Sequence, residues 1–268
     1  MSKQAAHYDF MDEINRKNLE ADKFTRGKWA TFGSPFRNEK HLEELFSLFN
    51  ATQINLPCEI KIADFGSAEG LVGEYFRNKL TQTGHNVSLT LIDTIKEHLA
   101  ANKNVDTKKI CKDLLTLDYP ETFNLGLIRS VLHYFNKENQ MIVLQNIRNS
   151  LLPSGYLLLQ AFVQYPENMN LYMTMNRMIG KNFQLVDEKT IFEILEKSGY
   201  KNSILLGEVS TFYFDSKYLQ KRYKLSDSTL EEMRKEVYST PPENRLEFKI
   251  SEIDFSIPVP YKVFLAQK

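Results

Sequence analysis

One stretch restricts how this chain can fold more than any other: Ile60 to Phe76, which reads IKIADFGSAEGLVGEYF. Lys61 to Phe65 is mostly apolar with little alternation, the pattern of a strand buried on both faces of a parallel sheet. An acid, Asp64, stands near its end. Gly66 and Gly70 bracket the turn that follows, and a helical pattern then takes over. Glycine at such a turn lets the backbone take unusual dihedrals and lets a ligand approach the main chain with no Cβ in the way. The next helix offers its free N–H groups to the same ligand. In this order the parts read as a nucleotide-cofactor loop.

Spacing separates the cofactor classes that share such loops. A phosphate-cradling loop needs a Lys-Ser/Thr pair where this chain has Leu71 and Val72, which disfavours a nucleoside triphosphate. A dinucleotide fingerprint wants glycine at position 68, where Ala68 sits, and normally lacks an acid just before its first glycine. Asp64 is that acid.

Downstream, strand and helix alternate. NVSLTLID, Asn86 to Asp93, predicts a second strand ending in an acid, followed by the helical IKEHLAANKN. In doubly wound folds a carboxylate there accepts hydrogen bonds from the ribose diol of a bound nucleoside, and Asp93 suits that role. KKICKDL, Lys108 to Leu114, predicts a third strand. Asp113 and Leu114 then lie on the crevice rim, where a carboxylate can accept from an exocyclic amine and a leucine can cover a base. A helix N-cap or turn aspartate looks the same locally. A fourth strand runs into a turn over Asn124 to Phe135, a helix covers Lys137 to Ser150, and LLPSG introduces a fifth strand, Tyr156 to Phe162. This alternation specifies an α/β, doubly wound sheet with its ligand at the carboxyl ends of the strands.

Composition limits the partners. With 268 residues, 34 basic and 34 acidic, nothing commits the surface to nucleic acid or to an anionic membrane. The two cysteines, Cys58 and Cys111, fit a reducing compartment and two buried thiols rather than a disulfide framework. No metal-ligand spacing occurs. The longest apolar runs, such as Gly155 to Val163, fall well short of the ~20 residues of a membrane helix, and no signal-peptide pattern opens the chain. A soluble, cytoplasmic protein is expected.

Taken together, DFGSAEG after the first strand, LID ending at Asp93, KDL at Asp113, and FNLGLIRSVLHYF followed by LLPSGYLLL resemble the Rossmann-like (class I) S-adenosylmethionine-dependent methyltransferases, over roughly 59–199. The resemblance implies a mostly parallel seven-stranded sheet with an antiparallel last strand, and S-adenosylmethionine as cofactor, with S-adenosylhomocysteine as product. It implies that Asp64, Gly66 and Gly70 surround the methionine part, that Asp93 meets the ribose, that Asp113 and Leu114 meet the adenine, and that Thr94 and Ile95 flank the base. Two departures stand out. Ala68 replaces the middle glycine often found in this loop, and Ile128 with Arg129 stand where small or polar residues are usual. Arg129 either reaches the cofactor carboxylate or a substrate anion, or spans to a helix carboxylate.

The flanks read as additions to one core. Residues 1–50 predict a helical extension, with Leu42, Leu45, Phe46 and Phe49 on one face packing at the sheet edge. Within it, Phe24 to Phe36 holds Trp29 between basic residues and reads as a plug or a lid. The methyltransferase domain then covers 51–268, with cap insertions near 164–186 and 215–250. The first carries Met169, Met173, Met175 and Met178, which either pack a core or roof an apolar pocket. Asp187 caps a helix that Gly199 stops. SILLGEVSTFYF and PYKVFLAQK form the antiparallel pair that closes the sheet.

Methyl transfer from a sulfonium is an in-line displacement, so the protein mainly positions a nucleophile within about 3 to 3.5 Å of the methyl and excludes water. His133, at the lip of the crevice, is the candidate base or substrate-orienting group, with Tyr134 beside it. His7, His41, His85 and His98 have no comparable placement. A small-molecule acceptor is expected. An RNA-modifying enzyme drawing phosphate contacts from Arg26, Lys28 and Lys217 to Lys224 is the first alternative. A non-catalytic cofactor-binding or regulatory protein on the same fold is the second. The oligomeric state is left open by the sequence.

Overall fold

The strand that ends in the glycine loop lies in the middle of a sheet. The computed structural model describes residues 39–180, 183–251 and 254–268. The predicted plug or lid with Trp29, Arg26 and Lys28, and also His7, lie outside the described residues. The sheet contains β1 (Glu59–Phe65), β2 (Asn86–Asp93), β3 (Lys108–Cys111), β4 (Phe123–Arg129), β5 (Leu151–Phe162), β6 (Lys201–Asp215), β7 (Lys249–Ile250) and β8 (Phe255–Gln267). Its order is β3-β2-β1-β4-β5-β8-β6, with β7 paired to β8. All pairs from β1 to β5 are parallel. Strand β8 runs antiparallel to both β5 and β6. The expected mostly parallel sheet with an antiparallel last strand is present, with the two-residue β7 added. Chain order reverses between β1 and β4, which is where a doubly wound sheet opens a crevice.

Helices cover both faces. Helices α1 (Glu39–Asn50) and α2 (Leu71–Gln82) lie on one side, where Leu42, Leu45, Phe49, Phe76 and Leu80 pack on Ile60, Ile62, Leu89 and Leu125. Helix α1 sits over β6 and β8, at the β6 end of the sheet. The short α3 (Lys96–Ala101) follows β2. On the other side α4 (Lys137–Ser150) and α6 (Glu188–Lys197) contribute Val143, Leu144, Ile147, Ile191 and Ile194, all buried with Phe65, Phe123 and Leu157. The predicted cap of α6 is present: the Asp187 carboxylate accepts from the Thr190 N–H at 2.7 Å, and Gly199 follows the helix at φ 86°.

Several predicted boundaries move for local reasons. Strand β3 stops at Cys111 rather than Leu114, because the Asp113 carboxylate accepts from the Leu115 N–H at 2.8 Å and starts a 3₁₀ turn over Leu114–Thr116. Strand β4 stops at Arg129, since Ser130 takes φ 56° and a 3₁₀ turn holds Leu132–Tyr134. Strand β5 begins at Leu151, which pairs with Phe123 before the register shifts. The two cysteines are exposed rather than buried, and both are free thiols.

Helices from the stretches read as cap insertions, 164–186 and 215–250, pack together. Helix α5 (Met169–Met178) packs with α7 (Ser216–Tyr223) and α8 (Asp227–Ser239) around Leu171, Tyr172, Met175, Leu219, Met233 and Val237. Buried Asn168 joins them, donating to the Leu246 carbonyl at 3.0 Å and accepting from the Leu246 N–H at 2.7 Å. None of these methionines borders the cavity described below. Met175 is buried in the cap's own core and Met173 is exposed. Among the described residues no helix is long and apolar enough to cross a membrane.

Candidate functional site

The carboxyl ends of β1 to β4 meet at one rim, and the backbone there is held in place by carboxylates. Gly66 takes φ 68° and its N–H donates to the Ile92 carbonyl at 2.8 Å. A Cβ on it would lie 2.5 Å from a Val131 methyl, so side chains are excluded twice over. Ala68 also takes a left-handed φ, 48°, and its N–H donates to Asp93 Oδ2 at 2.8 Å. Asp93 Oδ1 accepts from the Ile95 N–H at 2.8 Å, and His98 Nδ1 lies 3.5 Å from the same oxygen. Asp93 therefore ties the loop after β1 to the loop after β2. Each of its oxygens keeps a second acceptor position.

Asp64 is buried at the end of β1, where its Oδ2 accepts from the Gly73 N–H of α2 at 2.9 Å. Burial raises its pKa from 3.8 to about 7, while the Gly73 N–H and the Arg129 charge act in the opposite direction. Arg129, at the end of the neighbouring β4, is lowered to about 10 by burial, against the pull of Tyr261 and Asp64. Asp64 and Arg129 thus bias each other's charge across the switch point.

These groups line a cavity of about 240 Å³. Asp64, Gly66, Ala68, Asp93, Thr94, Ile95, Asp113, Leu114, Arg129, His133 and Tyr134 all border it. Gly70 does not: at φ 83° it caps α2, and a Cβ there would meet Leu91 at 2.4 Å, so packing on β2 requires this glycine. At the far end the His133 ring lies 4.3 Å from Tyr134 and 5.1 Å from Phe183, centroid to centroid. The Gln184 N–H donates to the His133 carbonyl at 2.9 Å, which brings the segment carrying Phe183 down onto this turn. Burial lowers the His133 pKa to about 4, so the ring is neutral at pH 7 and a weaker base than an exposed imidazole. Burial raises that of Tyr134 far above the usual phenol range.

Several wall residues escaped the sequence reading. His98 borders the cavity although no role was expected of it; it sits in the first turn of the short helix after Asp93. Phe214, Arg222, Tyr223 and Tyr261 come from β6, α7 and β8, far along the chain, and no local pattern joins them. His41 is buried too, stacked on Phe212 at 4.3 Å, and serves the packing of α1. Among the described residues no cluster of His, Cys, Asp or Glu could hold a metal ion.

The donor set has a definite chemistry. Asp64 and Asp93 lie at the ends of β1 and β2 and Asp113 follows β3, so three carboxylates border one wall of the cavity. That wall suits an adenosine bearing a cationic tail better than a polyphosphate. Residues 63–159 match the family profile described as a methyltransferase domain. No curated protein sequence matches the chain at a significant level. Among solved structures it resembles the YcgJ protein of Bacillus subtilis, at 12% identity and TM-score 0.70 over 84% of this chain and 98% of that one. It also resembles a candidate methyltransferase of Bacillus halodurans C-125, at 14% identity and TM-score 0.66 over 84% and 99%. A third similar structure is the 1,6-didemethyltoxoflavin N1-methyltransferase of Burkholderia thailandensis, with bound 1,6-didemethyltoxoflavin and S-adenosylhomocysteine. It matches at 14% identity and TM-score 0.53 over 99% of this chain and 89% of that one.

Proposed function

We propose that this chain, whose residues 63–159 match a methyltransferase domain, is a class I, S-adenosylmethionine-dependent methyltransferase that methylates a small-molecule acceptor by in-line displacement. The supporting observation is one cavity with two chemically different ends: carboxylates and the glycine turn at one, aromatic rings and His133 at the other. When bound, S-adenosylmethionine supplies an electrophilic methyl on a sulfonium. Asp93 accepts from the ribose hydroxyls, Asp113 from the adenine amine with Leu114, Thr94 and Ile95 against the base, and Asp64 faces the ammonium of the methionine part. Arg129 attracts Asp64 and would meet the methionine carboxylate. Gly66 and Ala68 shape the loop that lets this tail pass close to the main chain.

His133, neutral at pH 7, takes the proton from an acceptor hydroxyl or ammonium, or orients the acceptor against Tyr134. Rings at the far end exclude water, which strengthens the electrostatics of the transfer. Support for a small acceptor comes from the cap residues that border the cavity, and from the 1,6-didemethyltoxoflavin bound in the Burkholderia thailandensis structure. Calorimetric titration of S-adenosylmethionine and S-adenosylhomocysteine tests the cofactor assignment, with micromolar binding of both expected. Methyl-label transfer to a small-molecule library and to total RNA then tests the acceptor class. Label in RNA alone would overturn the small-molecule reading. Absence of cofactor binding would overturn catalysis itself.

A further inference from the structure

Gln140 lies outside the cavity, one turn into α4, and is fully buried. Burying a carboxamide is costly unless its polar atoms are bonded. Its Nε2 donates to the Leu132 carbonyl and to the Phe135 carbonyl, both at 3.0 Å. Those two carbonyls bracket His133 and Tyr134. The reverse orientation of the amide would set its oxygen against both of them, so the contacts themselves identify the nitrogen. Oε1 is left buried, and among the described residues no hydrogen bond reaches it. For packing alone this is a poor choice, because a methionine of similar length fills such a space with no amide to desolvate.

The turn needs support from outside. It is a single 3₁₀ turn, Leu132–Tyr134, closed by the Tyr134 N–H on the Val131 carbonyl at 3.1 Å and the Phe135 N–H on the Leu132 carbonyl at 3.0 Å. Bonds this few do not hold a short turn in one arrangement. The Leu132 and Phe135 side chains are buried in the core with Val143 and Leu144 of α4. Anchored side chains still leave the adjoining peptide planes free to rotate. One donor shared by the carbonyl before His133 and the carbonyl after Tyr134 fixes both planes.

We propose that Gln140 is a positioning residue: by holding these two carbonyls it sets the direction in which His133 and Tyr134 meet the acceptor. This rests on the methyltransferase reading of the cavity. The carboxylates of the opposite wall come from β1, β2 and the segment after β3, so cofactor binding does not depend on this clamp.

Gln140→Met in the full protein saturated with S-adenosylhomocysteine is the test. Affinity for S-adenosylhomocysteine, read by calorimetry, should be kept, and Tm should not fall. Hydrogen exchange at the Tyr134, Phe135 and Gln184 amides should quicken about tenfold or more, while Val143, Leu144 and Ile147 further along α4 exchange as in the wild type. For a compound that the wild type labels in the methyl-transfer screen, kcat should fall about tenfold with the KM for S-adenosylmethionine unchanged. Wild-type exchange in the turn, faster exchange spread equally through α4, or an unchanged kcat would overturn the inference. Loss of S-adenosylhomocysteine binding in the wild type would instead overturn the cofactor reading beneath it, and exchange in the unliganded protein would then decide the clamp.

Discussion

Asp93 has two duties that point substitutions in different directions. It holds the Ala68 and Ile95 N–H groups and is assigned the ribose. Asp93→Ala should weaken cofactor binding by roughly 1.5 to 3 kcal/mol and also lower Tm, because two backbone donors lose their acceptor. Wild-type affinity in a titration of that variant would remove Asp93 from the site. Asp64 gives a pH signature. Its folded pKa of about 7 lies above the unfolded 3.8, so the contribution is full below about 4, declines as pH rises, and is lost above about 7. Tm of Asp64→Asn relative to wild type should therefore climb between pH 4 and 7 and then level off, and wild-type cofactor affinity should rise through about pH 7 as the carboxylate ionises. For His133→Ala, cofactor affinity should persist while turnover falls about a hundredfold, the scale of one lost general base. The backbone of the glycine loop was legible because its turn follows from spacing along one strand, turn and helix. His98 was not, because what matters is its distance from Asp93, which sequence alone does not give.

At the scale of elements, local signals predicted strands β1 to β5 well and mistook their ends. An aspartate that caps a turn and an aspartate that ends a strand look alike in sequence, and Asp113 is the first while still bordering the cavity. The methionine-rich helix was read as either core or roof, and its packing partner, α8, lies about sixty residues further on, beyond any local periodicity. That cap has its own apolar centre, distinct from the clusters on the two sheet faces. Met233, fully buried there, should report on it: Met233→Ala is expected to cost about 2 to 5 kcal/mol within the cap. Acceptor binding should suffer far more than cofactor binding, since the carboxylate wall stands on the sheet. Limited proteolysis with and without S-adenosylhomocysteine would show whether cleavage begins in 216–250; cleavage starting in β1 or α2 instead would contradict an independent cap.

For the whole molecule, a ligand that binds only the folded state raises stability by mass action. Saturation at a hundred times Kd contributes about 2.7 kcal/mol. For a chain of this length that is a Tm increase of about 5 to 10 °C, readable by thermal denaturation. No shift with either S-adenosylmethionine or S-adenosylhomocysteine would argue against the cofactor assignment. The sheet order has a consequence for biosynthesis as well. Strand β6 touches the rest of the sheet only through β8, which is wedged between it and β5. A ribosome that has delivered everything up to residue 250 has therefore released a parallel half able to form its carboxylate wall, next to fifteen residues of β6 with no strand to join. Until residues 255–267 emerge and zip inward from both sides, the nascent chain has a cofactor wall without Tyr261 to close its far end, and an unmatched strand that chaperones would have to shield.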